Sequence, residues 1–182
     1  ITSTTMLDRL GEIFNVPIFE VPVGFKYVAP VMLRENAIMG GEESGGLWSY
    51  GNIPERDGMI MGLRLLEIIC HEKKTPNQIL EDIYREFGYF DFQRTDYGIT
   101  MQQKEKLVSI LDNGTPRILK NAGAGEAITI DGYKYPLDES NWVMIRPSGT
   151  EAVVRIYSEG QSGEKSEYLQ GLGKKIMDGI KG

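Results

Sequence analysis

The sequence predicts two unlike domains, an α/β layer followed by a compact α+β unit. Three observations carry the prediction. In the first half, short apolar runs alternate with amphipathic stretches at the spacing of strand–helix–strand units. In the second half, a series of short strand-like runs, two of them joined by Asp131-Gly132, is accompanied by two helical stretches. Between the halves, Gly88 sits among Tyr84, Phe87, Tyr89, Phe90, Phe92 and Tyr97, an aromatic crowd that reads as core or interdomain packing. The boundary is placed there, giving domains 1–88 and 89–182.

Taking the elements in order, Thr4 or Thr5 caps a helix over Met6–Phe14, with Met6, Leu7, Leu10, Ile13 and Phe14 on one face and Gly11 as a weak spot. Val16-Pro17 ends it, and residues 18–21 read as a short strand. Pro22 to Lys26 turns into a second helix ending near Glu35, and residues 37–39 form the next strand. Parallel pairing is the expected consequence of this alternation. Asp57 caps the strongest helix of the first half, whose Met59, Ile60, Leu63, Leu66, Ile69 and Cys70 make an apolar stripe out to His71. Thr75-Pro76 opens another helix, to Phe87. Beyond the boundary the pattern predicts a strand over 89–95 and a helix over Met101–Asp112 that stops at Asn113-Gly114. Hairpin strands follow over 127–130 and 133–135, then strands over 141–145 and 152–157. Ser162 caps a last helix containing Tyr168, Leu169, Leu172 and Ile176.

Composition narrows the function classes. With 182 residues, 41% apolar and 25% charged, this is ordinary globular material. A net charge of −6 argues against a general nucleic-acid or anionic-membrane binder, so any phosphate affinity must come from local geometry and a few arginines. The single Cys70 excludes an intrachain disulfide and fits a reducing, cytoplasmic setting. No stretch approaches the length of a membrane span, and no signal-peptide pattern opens the chain. The chain starts at Ile1, and the expectation is a fragment. His71, the only histidine, reads as a solvated residue near a helix end. Nothing in the sequence forms a Ser-His-Asp arrangement or a metal-binding His cluster.

Two loops carry chemistry. Arg146-Pro147-Ser148-Gly149-Thr150 lies between two strand-like runs, with Arg155 just downstream. Pro147 fixes φ, and Gly149 is expected to let successive N–H groups converge. Ser148 and Thr150 add hydroxyls, and the two arginines offer planar forks suited to phosphate oxygens. A Pro-Ser-Gly turn between strands needs no ligand, so on spacing alone both readings stand. The second loop, residues 40–46, has four glycines around Glu42, Glu43 and Ser44. Glycines admit a ligand close to the backbone, and a carboxylate can accept two hydroxyl protons of a vicinal diol. The bland alternative is a solvated strand-to-helix loop.

Together, in this order and about a hundred residues apart, the two loops resemble the paired signatures of the α-D-phosphohexomutases, the phosphoglucomutase and phosphomannomutase superfamily. The resemblance covers nearly the whole chain. It implies a partial three-layer α/β phosphoglucomutase-type domain, incomplete at its start, followed by a small TATA-binding-protein-like α+β domain. Glu42 and Ser44 match the sugar-hydroxyl readers of the third domain. Val23-Gly24-Phe25-Lys26 is similar to the substrate-contacting turn, so Gly24 and Lys26 are carried over, with Val23 where the family has Thr. Arg56 stands where many members have Lys, and Gly46 where some have His. Arg146, Ser148, Gly149, Thr150 and Arg155 match the phosphate-binding set of the fourth domain.

The resemblance further implies an interconversion of hexose 1-phosphate and hexose 6-phosphate through a phosphoserine and a hexose 1,6-bisphosphate, assisted by Mg²⁺. The family's Thr-Ala-Ser-His-Asn-Pro-like serine loop and Asp-x-Asp-x-Asp magnesium loop do not occur in the chain. This fragment is accordingly expected to bind no cofactor and to catalyse nothing alone. Its expected partners are hexose phosphates and the N-terminal domains of the same protein, with an apolar edge exposed where those elements pack. A stand-alone sugar-phosphate-binding module and a purely structural domain are the other classes the sequence allows.

Overall fold

The computed structural model describes residues 1–181, and the chain divides into two compact units, Ile1–Gly88 and Tyr89–Gly182. No helix among the described residues is long and apolar enough to cross a membrane.

The first unit holds four helices, α1 (Met6–Phe14), α2 (Phe25–Glu35), α3 (Gly58–Glu72) and α4 (Pro76–Phe87), with a two-stranded hairpin, β1 (Met39–Gly41) and β2 (Leu47–Ser49). The caps follow local chemistry. The Thr4 hydroxyl accepts from Met6 N at 3.1 Å, Asp57 accepts from Ile60 N at 2.9 Å, and Thr75 forms a full capping box with Gln78. Gly11 is no weak spot. A Cβ there would come within 2.6 Å of Ile18 Cγ1 and 2.7 Å of the Val16 carbonyl, because Asn15 takes the left-handed conformation and folds the chain back on α1.

Two expectations for this unit fail. Residues 18–21 form no ladder; the Val21 carbonyl accepts from the Ile1 amino group at 3.0 Å, yet Ile18 and Phe19 stay exposed. A strand is a paired state, and no second strand lies alongside to supply the remaining bonds. The expected parallel pairing is also absent, since β1 and β2 are antiparallel with Gly41 opposite Leu47. Gly40 seats that hairpin on α2, where a Cβ would reach within 2.2 Å of Met32 Sδ, and Phe25, Val28, Met32 and Trp48 form the core. The apolar stripe of α3 is not buried: Met59, Leu63 and Leu66 are exposed, and no residue of α3 is fully covered. An apolar face needs a layer against it, and the two short strands are too small to supply one.

The second unit is a four-stranded antiparallel sheet in the order β3-β6-β5-β4, built from β3 (Asp91–Gly98), β4 (Tyr133–Pro136), β5 (Trp142–Pro147) and β6 (Val153–Gly160). Helices α5 (Met101–Asp112), α6 (Arg117–Asn121) and α7 (Gly163–Lys181) complete it. Leu107, Leu111, Leu119, Val143, Ile145, Val154, Ile156, Leu169 and Leu172 meet in one core. Gly173 lets α7 come close to β6, as a Cβ there would lie 2.6 Å from Ile156 Cγ2. Ser162 caps α7 through Lys165 N at 3.2 Å. Residues 127–130 pair only at Ile128, with Lys134, so the Asp131-Gly132 hairpin is a turn with one bridge beyond it. The short α6 had no recognisable periodicity. Of the aromatics around Gly88, Phe87 meets Phe14 in the first unit, and Phe92 meets Trp142 and Tyr157 in the second.

Candidate sugar-phosphate site

In the first unit the Glu42 loop is a hairpin turn, not a strand-to-helix connection. Glu42 N donates to the Gly46 carbonyl and Gly45 N to the Glu42 carbonyl, each at 3.0 Å, with Gly45 at φ +86°. The turn leaves the Glu42 side chain only 10% exposed, with Ser44 at the open tip. Arg56 folds back over the turn. Its Nη1 lies 3.4 Å from Glu42 Oε2 and its guanidinium 5.6 Å from the Phe25 ring centroid. This approach requires Gly46, because a Cβ there would lie 2.4 Å from Arg56 Cδ. Glu55 accepts from Arg56 N and Nε, and these contacts, the backbone bond foremost, hold its carboxyl below the usual range. Glu43 is engaged elsewhere, accepting from Thr2 at 2.7 Å. Gly24, at φ +125°, starts α2; Lys26 is exposed, its Nζ 4.9 Å from the Tyr27 ring centroid. Glu42 and Arg56 are thus brought together, and Gly24 and Lys26 connect to them only through Phe25.

In the second unit, β-register assembles the site. Arg146 on β5 stands opposite Arg155 on β6, and Arg155 opposite Asp96 on β3. Directly paired residues share a face, so the three side chains form one cross-strand row at the end of the sheet. The Asp131-Gly132 turn closes the row: Asp131 Oδ2 is 3.0 Å from Arg146 Nη2, and Gly132, at φ +89°, has Arg146 Cα, Cβ and Cγ within 3.1 Å of where its Cβ would be. Arg155 is held by Asp96 at 3.4 Å and Glu151 at 3.1 Å. Asp96 is also forked by Arg94, and that hydrogen bonding, ahead of the help from Arg155, keeps its pKa below the ordinary value.

The turn itself is ordered by Ser148, which is buried. Its N–H donates to the Val153 carbonyl at 2.8 Å, its hydroxyl accepts from Glu151 N at 3.2 Å, and its carbonyl accepts from Lys104 Nζ on α5. Gly149 does not use the freedom expected of it: its φ is not positive, and open space lies where its Cβ would be. Thr150 is exposed. Lys104 and Asp131 were not foreseen as site residues. Asp131-Gly132 was legible only as a turn, and nothing in helical periodicity marks Lys104, rather than Lys106, as a site residue. The arrangement offers two oriented guanidiniums beside an ordered turn with an open flank, the chemistry of a phosphate cradle.

Residues 1–87 match the family model for phosphoglucomutase/phosphomannomutase, alpha/beta/alpha domain III, and residues 101–171 that for the phosphoglucomutase/phosphomannomutase C-terminal domain. The chain belongs to this family, the α-D-phosphohexomutases. It is 31% identical to a phosphoglucomutase of Komagataeibacter xylinus, covering 99% of this chain and 34% of that protein. It is also 31% identical to a phosphoglucosamine mutase of Methanocaldococcus jannaschii, covering 97% and 38%. The chain thus spans about a third of the length of the curated relatives it matches. A crystal structure assigned to a phosphomannomutase of Thermus thermophilus superposes with a TM-score of 0.74 at 29% identity, covering 98% of this chain and 35% of that one.

Proposed function

We propose that this chain is the substrate-recognising part of a phosphohexomutase that interconverts hexose 1-phosphate and hexose 6-phosphate. The observation that carries this reading is the row formed by Arg146 and Arg155 at the mouth of the Ser148 turn. A mutase that passes through a hexose 1,6-bisphosphate must hold one sugar in two opposed orientations. One loop then grips whichever phosphate is not reacting, and another reads hydroxyls presented alike in both poses. Arg146, Ser148, Gly149, Thr150 and Arg155 suit the first task, and Glu42 and Ser44, with Arg56 bracing Glu42, the second. Gly24 and Lys26 complete the proposed sugar contacts.

The phosphoserine and the Mg²⁺ belong, in this proposal, to parts of a cytoplasmic enzyme that this chain does not contain, and the chain alone turns nothing over. Among the described residues no three His, Cys, Asp or Glu are grouped to hold a metal. If Glu42 and Ser44 read only the 3- and 4-hydroxyls, the enzyme accepts both glucose and mannose phosphates, which differ at carbon 2. A very large preference between the two 1-phosphates would sink that corollary.

The test is an NMR titration of the chain with glucose 1-phosphate. Shifts at Arg146, Ser148, Gly149, Thr150 and Arg155 that vanish in Arg146→Ala support the reading. Shifts scattered over other surfaces, or retained in that variant, refute it.

A further inference from the structure

We propose that Lys104 is a further phosphate-binding residue of the Ser148 turn and supplies the positive charge that the arginines there lack; this rests on the phosphate reading of that turn. Lys104 lies one turn into α5, half-buried, with Nζ donating to the Ser148 carbonyl. The start of α5 is fixed beside the turn. Ile99 N donates to the Ala152 carbonyl at 3.0 Å, and Thr100 caps the helix in a box with Gln103. The backbone at both ends of the turn, Ser148 and Ala152, is therefore tied to the corner where β3 meets α5.

Charge distinguishes Lys104 from its neighbours. Arg146 faces Asp131, Arg155 faces both Asp96 and Glu151, and Asp96 is shared with Arg94, so three carboxylates already answer three guanidiniums. Those pairs orient the forks but leave little net positive field. Among the described residues Lys104 has no carboxylate partner, and its one acceptor is a neutral carbonyl. An ammonium carries three donors, and a carbonyl takes one of them. A half-buried cation compensated this weakly gains from an anion seated on the turn. A phosphate monoester gives it both the charge and the acceptors.

The experiment is calorimetric titration of the 182-residue chain with glucose 1-phosphate at low and at physiological ionic strength. Lys104→Gln keeps an N–H donor for the Ser148 carbonyl but removes the charge, and Lys104→Arg keeps both. Loss of one charge-assisted contact predicts binding about tenfold weaker in the Gln variant, with a flatter dependence on salt, and restored to within about twofold of wild type by Arg. A Gln variant that binds with wild-type affinity and salt dependence makes Lys104 a brace for the loop and overturns the inference. The phosphate reading survives that result if Arg146→Ala still abolishes binding. An intact chain that binds no glucose 1-phosphate overturns both. A second measurement needs no variant: the side-chain ammonium resonance of Lys104 should move when the wild-type chain is titrated with inorganic phosphate, and a silent resonance refutes the proposal.

Discussion

The pair Arg146–Asp131 permits a quantitative test of how the second unit holds its anion site. The two groups meet at 3.0 Å with side chains 15% and 26% exposed. That places them between exposed pairs, worth up to about 1 kcal/mol, and buried pairs, whose breaking costs about 3–5 kcal/mol. A coupling of about 1–2 kcal/mol follows, discounted for the solvent that still reaches Asp131. The perturbation is a double-mutant cycle of Arg146→Met, which keeps most of the apolar stem, with Asp131→Asn. Asp131→Asn alone should be costly, because Arg146 Nε is already buried without an acceptor. The assay is native-state hydrogen exchange at Ile145 and Ile156, buried strand residues on β5 and β6 that report on the second unit by itself. The coupling should appear as about 5- to 30-fold of non-additivity in exchange rate. A coupling below about 0.3 kcal/mol, within ordinary additivity error, would mean that water screens the pair and that Asp131 does not position Arg146.

Three further outcomes are expected. Gly46→Ala forces Arg56 aside, since the new Cβ would lie 2.4 Å from its Cδ; the far end of a flexible chain yields cheaply, so stability should change by less than about 0.5 kcal/mol while sugar-phosphate binding weakens, as read by calorimetry. Gly11→Ala meets the Val16 carbonyl and Ile18 instead, and backbone cannot step aside, so the first unit should lose about 1–3 kcal/mol in urea unfolding. Burial first, and then the hydrogen bond to Asp112 at 2.5 Å, push Tyr133 up to about 12. The fold therefore prefers the neutral phenol. Its contribution to stability is complete below the unfolded value near 10 and is lost as pH rises through about 12. Burial also raises Tyr97 and Tyr135, so phenolate absorbance should show several late-titrating tyrosines, of which Asp112→Asn brings the Tyr133 step down; an unmoved titration would remove Asp112 from the account.

Local chemistry was legible in the sequence, and pairing was not. Thr75, Ser162 and Asp57 all cap helices because each cap is settled within four residues of chain. Residues 18–21 have strand-like side chains but no ladder, because a strand also needs a neighbour that its own sequence does not name. The stripe of α3 has helical periodicity and correctly marks a helix, yet periodicity records an apolar face and not what covers it.

The same division runs through the candidate site. The forks and hydroxyls at Arg146, Ser148 and Arg155 could be read as phosphate chemistry, but their partners Asp131, Asp96 and Lys104 arrive from three other elements. Register is what delivers them. With Ser148 N bonded to the Val153 carbonyl, the β5–β6 hairpin is pinned so that Arg146 meets Arg155, and β3 then brings Asp96 to the same row. A slip by one residue would turn one arginine to the opposite face, among Val154 and Ile156, and separate the pair. The buried Ser148 therefore has a geometric task besides any contact with phosphate: by fixing where the turn begins, it decides which two cations share a face.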